Sequence, residues 1–76
     1  MLERTLHAEG GNRRIRIVRR EDGLFHMLED FLSYDEEDDV TYWSNTVQPL
    51  PGIYESADLA ESEARSRPGY GDQISN

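Results

Sequence analysis

The dipeptide Asp22-Gly23 constrains this chain most, because it joins two runs whose residues suit a β-sheet. Both central positions of a type I′ hairpin turn need φ > 0, which glycine and aspartate tolerate well. Before the pair, RRIRIVRR (13–20) alternates Ile15 and Ile17 with Arg14 and Arg16, the period of two that marks a strand. After it, LFHMLEDFL (24–32) fits two templates: Leu24, Leu28, Phe31 and Leu32 make a helical stripe, whereas Phe25, Met27 and Phe31 make a strand face. A helix starting directly after the turn leaves the first strand unpaired, so a strand is expected. With Asp22 and Gly23 as the two turn residues, Val18 faces Met27, Ile17 faces Leu28, and Arg16 faces Glu29. Apolar then meets apolar and cation meets anion, as cross-strand energetics favour. A three-residue turn with Gly23 in the left-handed region shifts that register by one and loses the Arg16–Glu29 pair.

VTYWSNTV (40–47) is β-branched and aromatic and reads as a third strand, reached through the acidic turn DEEDD (35–39). QPLPG (48–52) breaks it with two prolines and a glycine. IYESADLAESEARSR (53–67) then carries helix punctuation. Ser56 is a suitable N-cap, Asp58 complements the positive end of the helix dipole, and Arg65 and Arg67 complement the negative end. Pro68-Gly69 stops it. Ala57, Ala60 and Ala64 fall three and four apart, giving a small face that can lie close on a sheet, with Leu59 at its edge. The expected fold is therefore α+β: a three-stranded antiparallel β-meander with one C-terminal α-helix packed on one face. It forms a single small domain over residues 1–76, with 1–11 as a lead-in or a short extra strand and 68–76 as a loose tail.

A chain of 76 residues has room for one apolar cluster and little room for a deep cleft. It has no cysteine, so neither disulfides nor thiolate metal sites support it. No apolar run is long enough to span a membrane and MLERTLHAEGG lacks a signal peptide's apolar middle, so a cytoplasmic location is the default. The net charge is −8, unevenly spread. Residues 1–20 hold six arginines and two acids, a net +4, and the remainder holds two arginines and fourteen acids, a net −12. Such an acidic balance disfavours nucleic acid and anionic lipid as general partners.

Several chemistries lack the residues they need. A calcium loop needs spaced oxygen ligands, a glycine at the bend and a distant closing glutamate, whereas Asp35–Asp39 are consecutive with no glycine among them. That run reads as a solvated turn. The same acids with Glu29, Asp30, Glu55, Asp58, Glu61 and Glu63 compose a DNA-mimicking face only if the fold gathers them on one side. His7 and His26 are too few for a zinc site without cysteine. No serine stands in a nucleophile elbow, and AEGGN (8–12) lacks the spacing of a phosphate loop. No enzyme, cofactor or small-molecule substrate is expected.

GIYESADLAESEA (52–64) resembles the strand-to-helix phrase of AP2-type DNA-binding domains, where glycine and an aromatic precede a capped, alanine-rich helix. The resemblance spans thirteen residues. It implies a three-stranded sheet that reads DNA, with Arg14 and Arg16 among its contact residues. Glu29 and Asp30, however, fall on the strand beside those arginines, which favours arginine–carboxylate pairing. Tyr42 and Trp43 are strand neighbours and so point to opposite faces. The candidate contact surface is Arg14, Arg16 and the exposed member of the Tyr42/Trp43 pair, since arginine and large aromatics are enriched at binding hot spots. The expected function is a non-enzymatic interaction module that binds another protein or itself. Nucleic-acid binding through the arginine strand and acidic DNA mimicry are the alternatives.

Overall fold

The computed structural model describes residues 2–45 and 49–71. Four strands, β1 (Leu2–His7), β2 (Arg13–Arg19), β3 (Phe25–Asp35) and β4 (Val40–Asn45), precede one helix, α1 (Ala57–Arg65). The strands form one antiparallel sheet in the order β1-β2-β3-β4. The α+β class and the C-terminal helix agree with the sequence reading, but the sheet has four strands rather than three. Residues 2–7 are the addition: of the two readings of 1–11 the short extra strand is the one observed, and Leu6 pairs with Ile15 and is buried, so this segment completes the core. Thr46 and Val47, expected to extend the strand at 40–47, lie outside the described residues.

The β2–β3 hairpin differs from expectation by one residue. Ile17 pairs with Met27, Arg16 with Leu28 and Arg14 with Asp30. The cause is local. The Gly23 N–H donates to the Arg20 carbonyl (3.1 Å), the Arg20 N–H donates to the Leu24 carbonyl (2.7 Å), and Gly23 has φ +84°. These features make a three-residue loop, a type I turn closed by a left-handed glycine. Asp22 secures it by accepting from the Leu24 N–H at 3.0 Å. β3 then continues to Asp35, and the four-residue turn to Val40 ends at Asp39 with φ 51°.

In an antiparallel sheet, directly opposed residues share a face and alternate residues change face. Leu6, Ile15, Ile17 and Met27 therefore point to one side, where they are buried with Ala8, Ala60, Ala64 and Tyr70. The alanines let α1 approach closely. A helix of nine residues has little stability by itself and depends on this packing. Ser56 caps it by accepting from the Leu59 N–H at 3.1 Å. Arg4 of β1 ties down its exposed side through Asp58 (2.7 Å) and Glu61 (3.0 Å). Leu59 is exposed, at the margin of the alanine face. Among the described residues no helix is long and apolar enough to cross a membrane.

Residues 68–71 are packed rather than loose, whereas Asp72–Asn76 lie outside the described residues. The Glu9 N–H donates to the Gly69 carbonyl at 2.7 Å, and Tyr70 is fully buried. Its hydroxyl donates to Glu29 (3.2 Å), and the Arg13 guanidinium lies 5.4 Å from its ring centre. Burial first, then the nearby Glu29 charge, pushes the Tyr70 hydroxyl up to about 12, so it remains a donor at neutral pH. Emptying this position is expected to cost about 3–5 kcal/mol, as for other buried aromatics. A domain of 76 residues holds only about 4–11 kcal/mol in total. Tyr70→Ala should therefore lower the urea midpoint drastically, whereas Tyr70→Phe should cost about 1 kcal/mol. A Tyr70→Ala midpoint equal to wild type would show that this side chain is not part of the core.

Candidate interaction surface

The sheet face away from α1 is built by the other alternate residues. β1 contributes Thr5 and His7, β2 contributes Arg14, Arg16 and Val18, β3 contributes His26, Leu28, Asp30, Leu32 and Tyr34, and β4 contributes Thr41 and Trp43. Its centre is Asp30, which is 1% exposed although it lies on the side away from α1. Two arginines enclose it. Arg14 donates through Nε to Oδ2 at 2.6 Å, and Arg16 donates through Nε at 2.7 Å and through Nη2 to Oδ1 at 3.0 Å. Arg14 then extends across the sheet, its guanidinium 4.2 Å from the Trp43 ring centre, and His7 flanks Trp43 at 6.2 Å between ring centres.

The observed register produces this cluster. With Arg14 opposite Asp30 and Arg16 two residues diagonal to it, both side chains converge on one carboxylate. Burial alone raises the Asp30 pKa, but the hydrogen bonds from Arg16 and Arg14 outweigh it and hold the group below the usual carboxylate value. Two guanidinium charges against one carboxylate leave the centre of this face at +1, within a chain of net −8. The arginine side chains remain about a quarter exposed.

Of the four residues expected to form the contact surface, the fold gathers Arg14, Arg16 and Trp43. Tyr42 pairs with Ser33 and points to the opposite side, half-exposed. The arginine-rich run is divided in the same way. Arg13 turns toward α1, where it donates to the Pro68 carbonyl (3.1 Å) and lies 3.6 Å from Glu29. Arg20 pairs with Asp22 at 3.1 Å inside the hairpin loop. The expected Arg16–Glu29 pair is replaced by Arg16–Asp30, because Glu29 lies on the helix side. His7 and Asp30 were not among the expected site residues. Asp30 follows from the register of a three-residue hairpin loop, and His7 from a period-two reading of residues 2–7.

The acidic turn forms internal contacts of its own. Tyr34 donates its hydroxyl to Asp39, and Asp35 accepts from the Glu37 N–H at 3.0 Å. Among the described residues no three histidine or acidic side chains converge as a metal site. No protein-family model, curated protein or solved structure matches this chain. The AP2-like phrase at 52–64 corresponds to Tyr54 bridging Phe25 and then the capped α1, attached to a sheet of four strands.

Asp30→Asn should cost about 1–3 kcal/mol at neutral pH, because both guanidiniums keep their partial burial while losing the anion. The folded-state pKa of Asp30 is depressed, so its contribution is complete above the ordinary value of 3.8 and fades as pH falls through the lowered one. The urea midpoints of wild type and Asp30→Asn should therefore be well separated at pH 7 and draw together progressively as the pH falls below the ordinary value of 3.8. A separation independent of pH would assign the effect to packing rather than charge.

Proposed function

We propose that this protein is a non-enzymatic binding module, and that it holds a carboxylate-bearing, partly apolar segment of a partner protein against the uncovered face of its sheet. The observation that carries this reading is the Arg14–Trp43 stack beside the Arg14–Asp30–Arg16 cluster. Asp30 fixes both arginines with their stems on the sheet, so little side-chain freedom is lost when a ligand arrives. Among the described contacts Arg14 uses only Nε on Asp30 and its cation on Trp43, which leaves terminal N–H donors for an incoming carboxylate. Exposed Leu32 and Tyr34 on the same face supply apolar contact area.

Two magnitudes favour a protein segment over nucleic acid. Duplex binders commonly neutralise about six to ten phosphates. This face offers Arg14 and Arg16, and both are already engaged by Asp30. A net charge of −8 repels an extended polyanion, whereas one or two carboxylates in an apolar segment meet the local +1 within a Debye length of about 8 Å.

Trp43 is the one tryptophan in the chain and sits in the proposed site, so its fluorescence reports binding directly. Titration with a synthetic peptide of alternating glutamate and leucine should give a saturable change in its emission, weaker at raised salt and at least about tenfold weaker in Arg14→Gln. A twenty-base-pair DNA duplex at low salt serves as the second probe and should leave the emission unchanged. Silence toward the peptide at millimolar concentration, or saturation by the duplex instead, would overturn this reading.

A further inference from the structure

The two outer strands of the sheet are protected very differently. β1 carries Glu3 and Arg4 and is bulged between Leu2 and Arg4, both of which discourage another strand from pairing with it. β4, VTYWSN, has no charge, no proline and no glycine, and it pairs in unbroken register with β3 from Val40 to Asn45. Among the described elements β4 pairs with β3 alone, and its Trp43 side chain reaches Arg14 of β2 and His7 of β1 across the sheet face rather than along the outer edge. Among the described residues its outer side is a regular, uncharged strand edge.

The direction of its free groups follows from the ladder. The Leu32 N–H donates to the Asn12 carbonyl on the β2 side, while the Met27 carbonyl accepts from Leu50 and Phe25 exchanges bonds with Tyr54 on the other side. Even-numbered β3 residues in this stretch thus direct their main-chain groups toward β2 and odd-numbered ones away from it. Thr41 and Trp43 face Tyr34 and Leu32, so they form the non-hydrogen-bonded pairs with β3, and their own N–H and C=O groups point outward.

We propose that β4 is a self-association edge, and that a second copy of this chain adds its β4 antiparallel to the first about a two-fold axis beside Tyr42, continuing the sheet through both molecules. A two-fold axis perpendicular to the sheet keeps like faces together and sets Tyr42 against Tyr42 of the second copy. Thr41 then faces the second copy's Trp43 and Val40 faces its Ser44, so the bulky Trp43 meets a smaller residue and no charge opposes a like charge. Antiparallel pairing also separates the acidic turns. Val40 of the two copies stand about four residues apart, roughly 14 Å, with each 36–39 turn beyond, which exceeds the Debye length of about 8 Å. Parallel pairing would bring the two turns side by side. A contact one strand long is small, so the dimer belongs to the weak, concentration-dependent class.

The test combines sedimentation equilibrium from micromolar to millimolar protein with amide hydrogen exchange. Wild type should self-associate, and exchange at Thr41 and Trp43 should slow as concentration rises. Thr41→Pro removes an outward donor, a change an edge strand tolerates, and should weaken association at least about tenfold. Tyr42→Lys alters an exposed side chain and sets two like charges opposite each other; it should weaken association as strongly and serves where the proline variant does not fold. A chain that stays monomeric at millimolar concentration overturns the proposal. So does a dimer that both variants leave intact and Arg14→Gln dissociates, since that dimer would use the open face instead.

Discussion

The register of the β2–β3 hairpin is the constraint on which everything else rests, and Gly23 sets it. Side chains alternate with a period of two, so moving one strand by a single residue sends all of its side chains to the other face. In the observed register Met27 enters the core beside Ile17, and Asp30 emerges on the far side between Arg14 and Arg16. One residue away, Asp30 would face α1 and Met27 would face solvent. The left-handed loop glycine and the Asp22 cap on the Leu24 N–H thus decide which carboxylate meets the arginines.

That register also explains how an arginine-rich strand fits an acidic protein. Alternation divides the arginines between faces, and each face supplies acids to meet them. Arg13 meets Glu29 on the helix side, Arg14 and Arg16 meet Asp30 on the open side, and Arg4 meets Asp58 and Glu61 on α1. The surplus acids lie elsewhere, in the 35–39 turn and along the solvent side of the helix. A binding reading based on the total charge of residues 1–20 overestimates the local field, because a strand does not present all its charges in one direction.

Local chemistry was the legible part of the sequence. The Ser56 cap, the alanine spacing, the hairpin at Gly23 and the β-character of 40–45 all depend on residues a few positions apart. Three features were not legible, each for a physical reason. The hairpin loop has two solutions that both use Asp-Gly, and the cross-strand charge match preferred the wrong one. β1 has four polar or charged residues in six, and its place in the fold is decided by Leu6 reaching Ile15, a tertiary contact. Tyr70 follows a Pro-Gly helix stop and resembles the start of a tail; only the gap beside Glu29 and Arg13 shows that a tyrosine fits there. Within the contact surface, the opposite orientation of Tyr42 and Trp43 was legible from alternation, but which of them joins the arginines was not.

The burial of Tyr70 also bears on the order in which the fold is assembled. The four strands form a meander whose hairpins close over short stretches of chain, so the sheet can form from local contacts. Its apolar face, Leu6 through Met27, still lacks a cover until the helix alanines and then Tyr70 emerge. A sheet formed before residues 57–70 dock carries both an uncovered apolar face and, among the described residues, the outer edge of β4. Tyr70, the most C-terminal residue of the described core, thus completes the cover of a sheet that local hairpins can form without it.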